Sequence, residues 1–281
     1  MAKALQSGAG AVIFDLEDSV PLAAKAEARS AVAKTIADAA ASGALCLAPA
    51  ITVRVNGAAS GLLEDDLAAV VRPGLSAIFL PKAERVEEVQ HVASCLDRLE
   101  AERGMRAGSV EIVLMIESAL GVHRCFDVAT ASPRVASVCI GSGRDGDLQT
   151  DLGCGWSSEG VELLYARSKV LLEARAAGTT WPLDGVYSDL NDEEGLVRDS
   201  RFSARLGYVG RTVIHPKQIE PVRRAYAVPE PEVAYARRVV SEFEAVERTG
   251  TAAAITVEGR LVDYAMYHHA KRVLERAELD R

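Results

Sequence analysis

Seven short apolar runs punctuate the chain: AVIFDL (11–16), ITVRVN (51–56), AIFLPK (77–82), EIVLMIE (111–117), VASVCIG (135–141), LDGVYSD (183–189) and GRTVIH (210–215). Longer stretches with helical spacing lie between them, most clearly Lys25 to Ala41, Val86 to Arg103, Glu159 to Ala177 and Glu193 to Leu206. The runs are almost wholly apolar rather than alternating. That pattern predicts a parallel sheet with both faces covered. All the runs but VASVCIG end in a polar residue: Asp15 and Glu17, Arg54 and Asn56, Lys82, Glu117, Asp189, His215. In a (β/α)8 barrel the carboxyl ends of the strands form the active-site mouth, so apolar-run-then-polar is the expected signature. A doubly wound sheet also places ligands at strand ends, but no GxGxxG turn follows the first run.

A closed barrel of this kind has eight strands, and seven are counted here. The opening MAKALQSGAG reads as a helix ending at glycine, so the expectation is a barrel lacking its first strand. The pattern changes after Tyr226. Residues 229–248 read as one charged amphipathic helix, 255–266 as a hairpin around Glu258–Gly259, and Tyr267 to Glu278 as a last helix. The expected organisation is a barrel over 1–226 and a helical C-terminal extension over 227–281.

The 281 residues carry a formal net charge of −8, which argues against general nucleic-acid or anionic-membrane binding. No stretch reads as a membrane span, and residues 1–20 lack the pattern of a secretory signal. Five cysteines, Cys46, Cys95, Cys125, Cys139 and Cys154, form no CxxC pair, which suits reduced buried thiols in a cytoplasmic protein. No His–Asn context supports a catalytic thiol.

Two carboxylates at adjacent strand ends, Glu117 and Asp147, suit Mg²⁺, with water and substrate oxygens completing an octahedron. Equally open is a helix cap for one and an arginine partner for the other. Arg54 offers a fork that matches a substrate carboxylate, or a structural ion pair with Glu17 or Asp18. Asp18 or Ser19 could also cap the helix after Pro21. Lys82 could meet a phosphate or the acid cluster, but it and His215 read first as supporting structure, and Trp156 and Trp181 as packing.

FDLEDSV, VRVN, LPKAE, IESALGV, DLQTDLG, LDGVYSD, GRTVIHPKQI and GRLVDYAM occur in this order along the chain. In that order they resemble the citrate lyase β-subunit-like CoA-ester lyases of the HpcH/HpaI aldolase and citrate lyase superfamily. The resemblance implies Mg²⁺ (or Mn²⁺) on Glu117 and Asp147, with Asp145 as the alternative. The loop here reads GSGRDGDLQTDLG where relatives read GAEDLxxDLG, so a glycine replaces the acid before the aspartate. It further implies that Arg54 grips substrate, and that Glu17 and Asp18 order metal-bound water and orient Arg54. Asp263 is implied to reach a neighbouring subunit's site as acid/base in a homotrimer or dimer of trimers. The implied reaction cleaves or forms a 3-hydroxyacyl-CoA, such as malyl-CoA or citramalyl-CoA, with an acyl-CoA and a 2-oxo acid as the small-molecule partners. Three rivals are a class II aldolase on free 2-oxo acids, a citrate lyase β subunit acting on an acyl carrier protein, and a catalytically silent binding protein.

Overall fold

The computed structural model describes residues 1–42, 49–248 and 254–279. Cys46 lies outside the described residues. All seven expected runs form strands of one parallel sheet: β1 (Ala11–Asp15), β2 (Ala50–Arg54), β3 (Ala77–Leu80), β4 (Glu111–Ile116), β5 (Val135–Ile140), β6 (Leu183–Asp184) and β7 (Gly210–Arg211). They pair in sequential order from β1 to β7. Among the described residues β1 pairs only with β2, and β7 only with β6. Up to β7 the helices are α1 (Ala2–Leu5), α2 (Lys25–Ala41), α3 (Leu63–Val70), α4 (Val86–Glu102), α5 (Ala119–His123), α6 (Cys125–Ala129), α7 (Asp147–Leu152), α8 (Leu164–Ala176) and α9 (Glu193–Leu206). Beyond β7 come α10 (Ile219–Tyr226), α11 (Glu230–Glu247) and α12 (Tyr264–Leu279). No helix of the described residues is long and apolar enough to cross a membrane.

Local chemistry explains several boundaries. The carboxylate of Asp192 accepts from the Gly195 N–H and caps α9, Glu193 and Glu194 sit in its first turn, and Gly207 ends it at φ 115°. The central strands β2 to β5 bury Ile51, Val53, Ile78, Leu80, Ile112, Leu114, Ile116, Val138 and Ile140 on one face and Thr52, Ala77, Phe79, Val113, Ser137 and Cys139 on the other, so both faces are covered there. β1 departs from that reading. It alternates, and Ile13 is 38% exposed, because β1 has a ladder partner on one side alone.

The last two strands are far shorter than their apolar runs. Gly185 stops β6: a Cβ there would stand 2.6 Å from the Ser142 nitrogen and 2.7 Å from the Ile140 oxygen. Beyond it, side chains replace ladder bonds. Arg211 donates twice to the Gly185 carbonyl (3.0 and 2.8 Å), and Gln218 donates to the Tyr187 carbonyl (2.8 Å). Residues 185–189 are therefore held as irregular backbone rather than strand.

The chain divides into two compact units, Met1–Val222 and Arg223–Arg281. In the second, β8 (Ala254–Val257) and β9 (Arg260–Asp263) form an antiparallel hairpin. Its turn residues Glu258 and Gly259 both have positive φ, as a tight two-residue hairpin requires. The hairpin joins α11 and α12 around Val239, Phe243, Val257, Val262 and Tyr267. Phe243 stacks on Tyr267 at 4.8 Å and meets Tyr264 edge-on at 4.9 Å. Phe243→Ala is expected to cost this unit about 3–5 kcal/mol, read as faster amide hydrogen exchange along α11 and α12.

Candidate active site

The pairing of β1 with β2 sets Asp15 directly opposite Arg54. Two strand-end side chains in register, one acid and one base, form a bidentate pair: Nε to Oδ1 at 2.7 Å and Nη2 to Oδ2 at 2.6 Å. Asp15 also accepts the N–H of Glu17 (2.9 Å) and of Ser19 (3.1 Å), so it folds the turn beyond β1 back on itself. Burial opposes its charge, but the bonds from Arg54, Ser19 and Glu17 prevail and hold the carboxyl down at about 2. The expected cap by Asp18 or Ser19 is not formed. The turn of helix at Leu22–Ala24 and α2 start without a side-chain cap, and Pro21, which has no capping side chain, holds the N-cap position of the first.

Arg54 points its remaining nitrogen, Nη1, at Glu17 (2.8 Å) and more distantly at Asp18 (3.9 Å). The Glu17 contact is close but off the hydrogen-bond line, so its Oε2 is buried without a hydrogen-bond partner. Burial pushes the Glu17 carboxyl up to about 7; Arg54 and Lys82 oppose this, while Asp18 and Glu117 add to it. Asp18 itself is largely exposed.

Behind this turn lies a buried network that the sequence reading missed. The Lys25 ammonium donates to the carbonyls of Leu16 (2.6 Å) and Glu17 (2.7 Å) and to Asn56 Oδ1 (2.8 Å). Asn56 donates in turn to the Leu16 carbonyl and to Asp66, which also accepts from Arg29. A lysine ten residues beyond Asp15 thus fixes the backbone that carries Glu17. Its only sequence signal is a basic residue at the start of a helix, where the dipole disfavours it.

Glu117 follows β4 and is 7% exposed. Its Oε1 accepts the backbone N–H of Lys82 (2.9 Å), and burial raises its carboxyl above the usual range, against that bond. Lys82 holds φ 50°, a left-handed conformation uncommon for a lysine. The same residue aims its ammonium at Asp147 (3.3 Å) and Glu17 (3.8 Å). Lys82 therefore links three of the predicted acids, the contact with the acid cluster that its strand-end position offered. Gly141, at the end of β5, makes room for Glu117: a Cβ there would lie 2.6 Å from the Glu117 Cβ.

Asp147 opens α7 after Gly146 and is half exposed. Asp145 faces elsewhere. Its carboxylate is 82% exposed and lies 3.6 Å from Arg144. Glu17, Glu117 and Asp147 are oxygen donors, one with an orphaned buried oxygen, and this set fits a hard divalent cation completed by water and substrate. They are spread rather than clenched: donor atoms mutually within 4.8 Å occur among the described residues at Glu64, His91 and Cys95 instead.

The other candidates are distributed. Asp263 ends β9 in the second unit, where it accepts the Met266 N–H (3.1 Å) at the start of α12. His215 caps the turn Pro216–Gln218, as a structural residue would. Trp156 is not simple packing; it is 36% exposed beneath the Arg144 guanidinium (4.9 Å), in a hollow with Ser142 and Ser188. Burial pushes the Cys125 and Cys139 thiols up to about 12, so neither is a nucleophile at neutral pH.

The Asp15–Arg54 pair makes a pH prediction. The folded carboxyl lies below its usual 3.8, so its contribution is full above that value and is lost as pH falls through about 2. Asp15→Asn should cost up to about 2 kcal/mol near neutrality. In denaturant titrations, the gap to wild type should close between about pH 4 and pH 2.

Comparison with known proteins places the chain in a wider group. The family described as HpcH/HpaI aldolase/citrate lyase matches residues 1–216, and one described as C–C bond lyase of the TIM-barrel fold matches 171–280. Citrate lyase subunit beta of Escherichia coli K12 is 37% identical over 271 residues, 96% of this chain and 86% of that one. The human mitochondrial citramalyl-CoA lyase is 30% identical, over 93% of this chain and 77% of that one. Protein CitE from Mycobacterium tuberculosis, crystallised with magnesium, acetoacetate and coenzyme A, superposes with a TM-score of 0.74 at 32% identity, covering 99% of this chain and 93% of that one. The chain belongs to the HpcH/HpaI aldolase/citrate lyase family and is a carbon–carbon bond lyase.

Proposed function

We propose that this protein is a Mg²⁺-dependent lyase that cleaves, or in reverse forms, a 3-hydroxyacyl-CoA of the malyl-CoA or citramalyl-CoA type, giving an acyl-CoA and a 2-oxo acid. The observation that carries this reading is the convergence of Arg54 and Lys82 with Glu17, Glu117 and Asp147 at the ends of β1 to β5. The CoA-ester class draws support from the human citramalyl-CoA lyase and from the CoA-bound CitE. For the fold, the sequential parallel order and the TIM-barrel description support an eight-position (β/α) ring in which β1 to β7 fill seven places.

Glu117 and Asp147 are the residues that would hold the ion. When bound, Mg²⁺ supplies Lewis-acid polarisation of the oxygens of the 2-oxo acid portion. The chain's own groups do the remainder. In the lytic direction the substrate hydroxyl loses its proton, the C2–C3 bond breaks, and the electron pair passes to the thioester enolate. Arg54, held rigid by Asp15, presents a fixed positive charge to the oxyanion that develops. Glu17 lies against Arg54, where its carboxyl near 7 can hold or release a proton close to neutrality. Lys82 balances the negative charge of Glu17 and Asp147. Asp263, brought by the C-terminal unit of a neighbouring subunit in a homotrimer, returns a proton to the enolate carbon.

The test is purified protein with Mg²⁺ and malyl-, methylmalyl- and citramalyl-CoA, following release of the 2-oxo acid. Metal-dependent release, abolished in Glu117→Ala, is expected. Cleavage of free hydroxy-oxo acids with no thioester turnover would overturn the CoA assignment in favour of a class II aldolase. The identity to a citrate lyase β subunit supports a second reading, action on an acyl-carrier-protein thioester, which predicts turnover only with the carrier-linked substrate.

Arg54→Lys keeps the charge but loses the fork, and should lower kcat/KM by about 10²–10³. Shared sites predict complementation: Asp263→Ala and Glu117→Ala proteins, each inactive alone, should regain activity when unfolded together and refolded. No recovery would remove Asp263 from the mechanism.

A further inference from the structure

Outside the acidic site, one cluster of side chains has the chemistry and spacing of a different metal centre. Glu64 stands in the first turn of α3, and His91 and Cys95 stand one turn apart on α4. Their donor atoms converge. His91 Nε2 lies 3.2 Å from Glu64 Oε1 and 3.7 Å from Cys95 Sγ, and all three lie within 4.8 Å of one another.

A single imidazole nitrogen offers either one N–H or one lone pair. It can donate to the Glu64 carboxylate or accept from the Cys95 thiol, but not both. Hydrogen bonding through this nitrogen therefore satisfies only one of its two contacts, and Arg98, one turn away, also reaches Cys95. A cation between the three atoms satisfies all of them. Zinc bonds of about 2.0–2.1 Å to nitrogen, 2.3 Å to sulfur and 2.0–2.2 Å to oxygen, set at the tetrahedral angle, separate nitrogen from sulfur by about 3.5 Å and nitrogen from oxygen by about 3.4 Å. The observed 3.7 and 3.2 Å fall close to both. The remaining edge, from Glu64 to Cys95, is within 4.8 Å, and the Glu64 side chain is exposed. Cys95 itself is 8% exposed, whereas the side chains of His91 and Glu64 are 49% and 70% exposed and leave the outer position open to water.

The geometry points to a three-residue transition-metal site, Glu64–His91–Cys95 with water as fourth ligand, that fastens α3 to α4. Its donors set it apart from the catalytic cluster. Thiolate and imidazole favour Zn²⁺, Co²⁺ or Cu²⁺, whereas the oxygen-only set of Glu117 and Asp147 favours Mg²⁺. The two centres therefore prefer different ions. A metal here would also hold Cys95 as a bound thiolate and remove it from oxidation.

The experiment is a Co²⁺ titration of the full-length reduced protein in excess Mg²⁺, which fills the oxygen site. One equivalent of Co²⁺ should bind with a near-ultraviolet thiolate-to-cobalt band and visible ligand-field bands, and Zn²⁺ should displace it. Cys95→Ser should remove the thiolate band while circular dichroism stays unchanged. Glu64→Ala, at an exposed position, should weaken binding by about tenfold or more. Zn²⁺ should raise the melting temperature of wild type and leave that of Cys95→Ser unmoved. Absence of a thiolate band at millimolar Co²⁺ would overturn the site and leave the cluster as a hydrogen-bonded contact. A band that persists in Cys95→Ser would assign the metal to another cysteine and overturn it equally.

Discussion

The bidentate contact between Asp15 and Arg54 is the constraint on which the candidate site rests. Parallel pairing of β1 and β2 brings the two residues side by side at the strand ends. The pair then does two things at once. It locks the guanidinium in one plane, and it orders the turn that carries Glu17 and Asp18. A free arginine would have several rotamers to lose on binding an anion. One already clamped loses little, which is the physical meaning of a preorganised site.

Around that clamp the protein concentrates like charge. Glu17 and Glu117 are both buried, and Asp147 and Asp18 lie close by. Such a cluster is unfavourable without cations, and two are built in. Arg54 approaches from β2, and Lys82 from the end of β3. Even so, Glu17 and Glu117 remain raised, so burial and mutual repulsion outweigh the neutralisation. A hard divalent cation is the natural complement of that imbalance. The strained backbone at Lys82 serves the same end, since it lets one residue bond Glu117 through its N–H and Asp147 through its side chain.

The Lys25 network shows why the supporting layer is hard to find in a sequence. Lys25 and Arg29 of α2, Asn56 beyond β2 and Asp66 of α3 come from three separate segments and form a largely buried polar cluster. In the sequence each is an ordinary polar residue on a helix or strand end. Only their meeting distinguishes them. Gly141 is similar: it is one of 22 glycines, and the need for it arises from the Glu117 side chain across the sheet.

The strand count, their parallel order and the acids at their ends were legible because they rest on local periodicity and on the register of apolar runs. Arg54, Glu17, Glu117 and Lys82 were legible as strand-end residues for the same reason. The family motifs in order added the reaction class. The tertiary structure alone added Asp15, by strand register, to the Glu17 partner of Arg54 that the sequence offered. It also separated Asp147, beside Lys82, from Asp145, turned toward Arg144, and it cut β6 and β7 short where side chains took over the backbone carbonyls. Periodicity belongs to a segment, whereas a contact belongs to two segments whose distance the chain sets only once it is folded.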